Sequence, residues 1–473
     1  MAYAHPERGQ ETLNLELTHT EAVSFQPNTI YCGDCKEVLK RFPEASVDLI
    51  YLDPPFFSNR HFEVIWEDGY EQRSFEDRWK GGIQNYIAWM MERVTECYRV
   101  LKPTGSFYFH CDWHASHYLK VELDKLFGDS NFRNEIVWKR SDAHSDAKQG
   151  AKAYGRIHDT ILFYTKSDDY TFNVKFNPLS ASTSDKWYRH VEAETGRRYN
   201  MADLTAAKPG GDTKYEWHGV KPPAGRYWAY SKEKMAELES KELIVYSKSR
   251  KPYMKRYLDE SKGVPLQDWW DDISMLRGIQ KGERLGYPTQ KPEALLRRIL
   301  EVSANPTDIV LDPFCGCGTA IAVAHQLGMR WVGIDVSPTA CKLMAKRLRG
   351  LRAKVAEVGL PRTVAQLKEI PPFEFQNWVN EKLYARPSPR KSGDMGIDGF
   401  YLDGTPIQVK QQDDVGRNVI DNFETAIKRD GKTKGVIVAF SFGKGAYEEV
   451  ARVKNEEGVE ILLKTVDDIL NET

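Results

Sequence analysis

The chain has 473 residues, 41% of them hydrophobic, enough for about two to four domains with sizeable cores. Its formal net charge is −1, which excludes a global basic field of the kind that marks many nucleic-acid binders, so any basic surface is local. No apolar run reaches the roughly 18 residues of a membrane-spanning helix, and the polar first 25 residues lack the apolar centre of a secretory signal. The seven cysteines (Cys32, Cys35, Cys97, Cys111, Cys315, Cys317, Cys341) are scattered and odd in number. That speaks against a disulfide framework and for a reducing, cytoplasmic setting. Cys32-Gly33-Asp34-Cys35 has zinc-like spacing, but no second pair lies at finger spacing.

Residues 1–25 are expected to form a flexible arm. Thr29 to Cys32 reads as a short strand ending in Gly33-Asp34, and Cys35 to Phe42 as a helix. The run Val47-Asp48-Leu49-Ile50-Tyr51-Leu52 is rich in branched and aromatic residues and stops at prolines, the pattern of a buried strand. It delivers Asp53-Pro54-Pro55-Phe56 at its C-terminal end, where open α/β sheets place their chemistry. These four residues suit a planar amino group. Asp53 and the Pro54 carbonyl can each accept an N–H, neither proline has a competing N–H, and Phe56 can stack on a base. Two acceptors off the amine plane favour a less delocalised lone pair, able to attack a methyl donor. On its own the tetrapeptide is equally a turn closing a strand, with Asp53 as a helix cap.

Segment 57–80 is aromatic, charged and poorly periodic, and is expected to be a mobile loop. A helix follows from Ile83 to Leu101, then a strand from Ser106 to His110, a helix from Tyr118 to Phe127, and a strand pair at Asn134–Trp138 and Asp159–Tyr164. Residues 141–156 between that pair suggest a flexible loop. The alternation predicts a mostly parallel sheet with helices on both faces.

Residues 170–283 change character, with dense Trp, Tyr, Pro, Lys and Arg. Tyr246 to Tyr257 interleaves Lys248, Arg250, Lys251, Lys255 and Arg256 with three tyrosines, and Arg226 lies in a proline-stiffened loop. Cations can hold phosphates and aromatics can stack bases; an irregular domain with a solvated charged face is the alternative.

The sheet pattern then returns. Pro288-Thr289-Gln290-Lys291-Pro292 precedes a helix over Glu293–Val302, and Thr307 to Leu311 is a buried strand. That strand opens into Asp312-Pro313-Phe314-Cys315-Gly316-Cys317-Gly318-Thr319 and a helix near Ala320. A second strand, Arg330 to Ile334, ends in Asp335. A glycine loop alone is also a plain tight turn. Strand, glycine loop, helix, strand and acid together point to a nucleoside-containing cofactor, with the acid on the ribose hydroxyls. No Gly-Lys-Ser/Thr follows, so a P-loop is excluded.

In this order the motifs resemble the beta group of S-adenosylmethionine-dependent DNA amino-methyltransferases, over roughly residues 26–350. The resemblance implies a Rossmann-like methyltransferase sheet with an inserted target-recognition segment, 170–283, acting on double-stranded DNA. It puts Asp335 on the cofactor ribose and Asp34 on the adenine edge. Phe314, Gly316 and Gly318 line the methionine moiety, Thr289 with Lys291 holds its carboxylate, and Asp312 is a further cofactor-binding residue. The base is flipped out of the stack and gripped by Asp53, Pro54, Pro55 and Phe56. Members with Asp first usually modify adenine N6, those with Ser first cytosine N4. The family's commonest form ends in Tyr, so Phe56 keeps the stacking face without the hydroxyl. The Asn-Pro-Pro form typical of protein glutamine methylation is absent.

After a linker at 351–370, residues 371–473 read as a small α/β domain. Its expected elements are a helix at Phe373–Leu383, strands at Phe400–Leu402 and Pro406–Gln411, a helix at Val419–Lys428, a strand at Gly435–Phe440, a helix at Ala446–Lys454 and a strand at Val459–Leu463. Gln408 and Lys410 share one face of a strand, and Asp398 lies just upstream. A carboxylate and an amide oxygen can hold Mg2+, and a lysine can orient water. This resembles the Mrr-type branch of the PD-(D/E)xK nucleases, in which Gln replaces the usual acid, with Glu374 as a further acid. The alternative is a nuclease-like fold that only binds DNA or a partner. Together the two resemblances imply a fused, single-chain restriction–modification enzyme, with a homodimer or a partner restriction subunit as the expected protein partners.

Overall fold

The computed structural model describes residues 25–472 apart from 58–59, 66–70, 78–81, 143–151, 153, 209, 277–282, 286, 288 and 389–395, and only the backbone of 60–65 and 71–77. The expected arm, most of the 141–156 loop and Pro288 lie outside the described residues. The described chain divides into two compact units, 174–267 and the remainder.

The main sheet is built from β1 (Thr29–Cys32), β2 (Val47–Leu52), β5 (Leu101–Cys111), β6 (Phe132–Lys139), β7 (His158–Thr165), β8 (Trp269–Trp270), β9 (Ile309–Asp312), β10 (Arg330–Asp335) and β11 (Ala356–Val358). Their order across the sheet is β8-β6-β7-β5-β2-β9-β10-β1-β11. Only β7 among them runs antiparallel to both its neighbours, β5 and β6. Helices α1 (Cys35–Leu39), α2 (Ile83–Val100) and α3 (Ser116–Phe127) cover one face, and α4 (Glu293–Ser303), α5 (Thr319–Gln326) and α6 (Pro338–Gly350) the other.

The sequence of β2 explains this double cover. Leu49 and Tyr51 pack with Leu295, Ile299, Ala322 and Met344, while Ile50 and Leu52 pack with Val38, Met90, Val94 and Leu119. Side chains alternate across a strand, so a run apolar on both faces needs a helix layer on each. Each fully buried aliphatic side chain contributes about 1.5–3 kcal/mol, so the end of β2 is held firmly.

Segment 57–80 is not simply a loop. It contains an antiparallel hairpin, β3 (Arg60–Ile65) with β4 (Glu71–Asp77), paired from Arg60 opposite Asp77 to Ile65 opposite Glu71 with a register shift between Phe62 and Glu63. The polar/apolar alternation of Arg60-His61-Phe62-Glu63-Val64 is a strand signal that the density of charge obscures.

The unit 174–267 is narrower than the expected segment, because Trp269–Trp270 already pairs with β6 in the main sheet. Its four-stranded antiparallel sheet has the order Ile244–Tyr246, Pro252–Tyr257, Arg198–Asp203, His190–Val191. Leu204, Trp217, Trp228, Met235, Leu238 and Ile244 form its core.

The C-terminal domain begins inside the expected linker, with a short helix at Val364–Glu369 whose Leu367 joins its core, followed by α7 (Pro372–Lys382). Its five strands are β12 (Arg386–Pro387), β13 (Gly399–Phe400), β14 (Pro406–Val409), β15 (Lys434–Ala439) and β16 (Glu460–Thr465), paired in that order. Helices α8 (Arg417–Arg429) and α9 (Lys444–Glu457) belong to one face, with Ile420, Phe423, Val453 and Ile437 in a common core. Phe375 and Trp378 of α7 pack on the other face with Ile407, Val436 and Val438. Among the described residues no helix is long and apolar enough to cross a membrane, and all seven cysteines are buried and free.

Candidate active site

The parallel strands β1, β2, β9 and β10 all end on one edge of the main sheet. That edge therefore carries Asp34, Asp53, Asp312 and Asp335, and the order reverses between the adjacent strands β2 and β9. Such a reversal opens a crevice at the strand ends.

Asp53 lies just past β2 with its side chain largely covered. Lys291 Nζ is 2.5 Å from its Oδ2, and His110 Nδ1 is 3.9 Å from its Oδ1. The same ammonium stands 5.3 Å from the centre of the Phe56 ring, which in turn is 5.9 Å from His110. Pro54 is buried, and the Pro55 carbonyl accepts the Tyr86 hydroxyl at 3.1 Å. Thus Lys291, expected on a cofactor carboxylate, sits on the acid of the amine-gripping motif. Thr289 is close to it in a turn of the same segment.

His110 is fully buried in β5. Its Nε2 is 3.3 Å from Asp159 Oδ2 and its Nδ1 2.8 Å from the Tyr51 hydroxyl. A carboxylate only accepts, so Nε2 carries the proton and Tyr51 donates to Nδ1. Burial pushes the Tyr51 phenol well up, with the Asp53 charge adding to it, so the hydroxyl keeps its proton. Burial would raise Asp159, but the bond from His110 and the charge of Arg140, 2.9 Å away, hold its carboxyl below the ordinary value.

The glycine loop follows β9. Gly316 and Gly318 have φ of 53° and 78°, a region L side chains rarely adopt. A Cβ on Gly318 would meet Met344 Cγ at 2.9 Å. Asp335, half-buried at the end of β10, accepts the Gly316 N–H at 2.8 Å and the Ser337 N–H at 2.9 Å. Burial raises its carboxyl to about 6, the two N–H donors limiting the rise and the Glu374 charge adding to it. Asp312 is buried, with its carboxyl pushed well up by burial and then by the charge of Asp53. Asp34 caps α1 through the Lys36 N–H at 2.9 Å and forms an ion pair with Arg93, whose guanidinium lies 3.7 Å over Trp89. Trp89 meets Phe314 of the glycine loop at 5.8 Å.

In the C-terminal domain, Asp398 Oδ2 accepts the Val409 N–H at 2.7 Å. Its carbonyl accepts Gln376 Nε2 at 2.8 Å and Asn380 Nδ2 at 3.2 Å, both from α7. Gln408 is buried, and its Oε1 has no hydrogen-bond partner among the described residues. Lys410 follows β14, its N–H bonded to Val438 O at 2.8 Å. Glu374, expected beside these residues, is turned away. Its carboxylate accepts the hydroxyls of Ser337 and Thr339, at the start of α6.

Comparison with known proteins settles the family. Residues 47–347 match the profile described as DNA methylase. The chain belongs to the DNA methylase family. Its residues 367–471 also match a restriction endonuclease profile, so a restriction-endonuclease-like domain follows the methylase region. The chain is similar to the type II methyltransferase M.EcaI of Enterobacter cloacae, with 30% identity over 349 residues, 71% of this chain and 73% of that one. It is 30% identical over 324 residues to the DNA adenine methyltransferase YhdJ of Escherichia coli K12, covering 68% and 83% of the two chains. Similarity to the Mod subunit of the type III restriction-modification enzyme StyLTI of Salmonella typhimurium LT2 spans 93% of this chain and 70% of that one, at 26% identity.

Within the methylase region, sequence reasoning missed His110, Asp159, Arg93 and Gly333. A Cβ on Gly333 would lie 2.9 Å from Ile321 and 3.0 Å from Cys315 Sγ, so this glycine lets β10 meet the glycine loop and α5. The signal for His110 was a polar residue directly after the aromatic run Phe107–Phe109.

The expected DNA-binding cations of the 174–267 unit divide into two groups. Lys255 pairs with Glu192 at 2.6 Å, Lys251 with Asp203 at 3.2 Å, and Arg226 with Asp203 at 3.5 Å. Lys248, Arg250 and Arg256 are exposed, with no ion pair among the described residues. Lys248 and Arg250 lie in the turn that joins Ile244–Tyr246 to Pro252–Tyr257, where the Arg250 N–H bonds Ser247 O at 2.9 Å.

Proposed function

We propose that the methylase region moves a methyl group from S-adenosyl-L-methionine to the N6 amine of adenine in double-stranded DNA. We propose further that the C-terminal domain cuts DNA with Mg2+. One observation carries the first proposal: Asp53 ends β2 directly beside β9, whose end opens the glycine loop, so an amine acceptor and a nucleoside cradle share one crevice. The similarity to an adenine methyltransferase supports adenine as the base.

The cofactor supplies, when bound, a methyl group made electrophilic by a sulfonium charge. The chain fits it: Asp335, already oriented by two N–H donors, can accept ribose hydroxyls, and the left-handed glycines leave bare backbone beside it. Asp53 and the Pro54 carbonyl accept the two amine hydrogens of the flipped base, and Phe56 stacks on its ring. Lys291, 2.5 Å from Asp53 Oδ2 and over the Phe56 ring, holds the carboxylate in place until the amine arrives. The Asp53 carboxylate takes the proton that the nitrogen sheds on gaining the methyl group. Positioning is the main contribution of the protein. The 174–267 unit would read the DNA sequence, with Lys248, Arg250 and Arg256 on phosphates.

For the second proposal, the unpartnered Gln408 Oε1 near Asp398 suits a hard cation, which takes oxygen ligands. Lys410 would orient the attacking water. The similarity to a type III Mod subunit supports a partner chain for cleavage.

The test is to incubate the full chain with cofactor and DNA, digest the DNA to nucleosides and weigh them. N6-methyldeoxyadenosine is expected, and none with Asp53→Ala. N4-methyldeoxycytidine would correct the base, and no methylated nucleoside would overturn the proposal. Plasmid cutting with Mg2+, lost in Lys410→Ala while methylation stays, tests the second activity; an uncut plasmid in every condition refutes self-contained cleavage.

A further inference from the structure

We infer that Glu374, a side chain of the C-terminal domain, is a positioning residue for the methylase cofactor site, acting through Ser337 on Asp335. The inference rests on the proposal above that Asp335 receives the cofactor ribose.

Asp335 is held by two backbone donors, and one of them, the Ser337 N–H, belongs to the turn that starts α6. Ser337 is the N-cap of that helix, its Oγ accepting the Ala340 N–H at 3.0 Å. With that lone pair used, its own O–H needs an acceptor, and Glu374 Oε1 provides it. Glu374 Oε2 accepts the Thr339 N–H at 3.2 Å and the Thr339 hydroxyl at 2.7 Å. Asn377, one turn along α7, also donates to the Thr339 hydroxyl at 3.2 Å. Three donors from residues 337–339 therefore converge on one carboxylate that is only 2% exposed. It sits at a helix N-terminus, where the macrodipole favours negative charge. Between the cofactor acid and the C-terminal domain there are thus two links, Asp335 to Ser337 and Ser337 to Glu374.

A docking contact alone would not need this arrangement. The same two helices are also joined by the ion pair Lys342–Glu381, in which Glu381 is 55% exposed and its carboxylate has no other ion pair among the described residues. That pair is the internal control. Glu381→Ala breaks it and perturbs the contact between α6 and α7, while every hydrogen bond from Ser337 and Thr339 to Glu374 keeps both its partners.

The experiment measures cofactor affinity of the full chain by calorimetry, together with methylation kinetics. Glu374→Ala should weaken cofactor binding about tenfold, the scale of a buried charge-assisted hydrogen bond, with kcat at saturating cofactor within about twofold of wild type. Glu381→Ala should change neither. Ser337→Ala should weaken binding by a similar factor, and the double variant Ser337→Ala/Glu374→Ala should lose less than the product of the two factors, because both remove one link. Glu374→Gln keeps the volume and carries the test if Glu374→Ala fails to fold. Equal losses in Glu374→Ala and Glu381→Ala, or no loss in any Glu374 or Ser337 variant, would overturn the inference. Asp335→Ala separates the two layers. If it loses cofactor binding while the Glu374 variants do not, only the inference falls; if it binds normally, the assignment of Asp335 falls and the inference with it.

Discussion

Two acids, Asp53 and Asp398, head the two candidate sites, and their surroundings differ in kind. Asp53 faces Lys291 at 2.5 Å and His110 at 3.9 Å, and His110 is itself bonded to Tyr51 and Asp159. Asp398 is held by the Val409 N–H, but its neighbour Gln408 keeps a buried oxygen without a partner among the described residues. A buried unpaired acceptor costs about 1–3 kcal/mol. The first acid is held by the protein's own groups; the second site, on the proposal above, takes a cation. The first should therefore be sensitive to single side-chain removals, and the second to the supply of a cation.

The largest expected effect is at Asp53. Asp53→Ala should lower methylation about a thousandfold or more while cofactor affinity changes less than about threefold, because the acid acts on the amine. A comparable loss of cofactor affinity would show that Asp53 serves the other ligand and would erase the contrast. Next comes His110. His110→Leu leaves the Tyr51 hydroxyl without its acceptor and Asp159 with Arg140 alone. Methylation should fall about 10- to 100-fold, and the melting temperature by several degrees, since two buried polar groups lose partners. A melting temperature equal to wild type would mean the network is not taut, and Asp53 is not preorganised by it.

His110 also marks the limit of what the sequence reveals. Asp53, the glycine loop and Asp335 were legible because each lies at a strand end with its own local pattern. The fold class was legible for the same reason, as alternating strands and helices. His110 and Asp159 are 49 residues apart and meet only because β5 pairs with β7. Lys291 is 238 residues from Asp53 in sequence, and nothing local distinguishes that acid from the cofactor carboxylate as its partner. Glu374 was read with the nuclease-like residues because it shares their domain, yet a helix presents side chains on every side. Its carboxylate points to Ser337, and its neighbours Gln376 and Asn380 point to Asp398. The ion pairs of the 174–267 unit were hidden for a similar reason, since Glu192 and Asp203, the partners of Lys255, Lys251 and Arg226, are remote in sequence. Long-range partners carry no local periodicity to betray them.

The cation prediction is smaller in energy and sharpens the contrast from the other side. Mg2+ at about a hundred times its dissociation constant should stabilise the C-terminal domain by about 3 kcal/mol, read as a rise in its melting temperature. Gln408→Leu should remove that rise and lose little stability without the ion, because it deletes an acceptor that had no partner. Equal rises in both proteins would take the cation away from Gln408.

The smallest effect is a pH dependence at Asp335, where the two halves of the contrast can be separated in one titration. Burial raises this carboxyl to about 6, with Ser337 and Gly316 opposing the rise and Glu374 adding to it. The ordinary value of a free aspartate is about 3.9, so the fold binds this proton more tightly than the unfolded chain does. Its contribution to stability is therefore present at low pH and is lost as pH rises through about 6. Cofactor binding runs the other way, because ribose hydroxyls donate and only the ionised carboxylate accepts with both oxygens. At pH 7 about nine in ten molecules carry the charge, and at pH 5 about one in ten, so affinity should fall about tenfold between them. Asp335→Asn should bind weakly at both values with no such slope. General acid unfolding would lower stability and affinity together, whereas titration of Asp335 lowers affinity while the unliganded fold holds or gains. A wild-type affinity that is flat from pH 7 to pH 5 would mean that Asp335 ionises normally, and that the nearby Glu374 charge does not reach it.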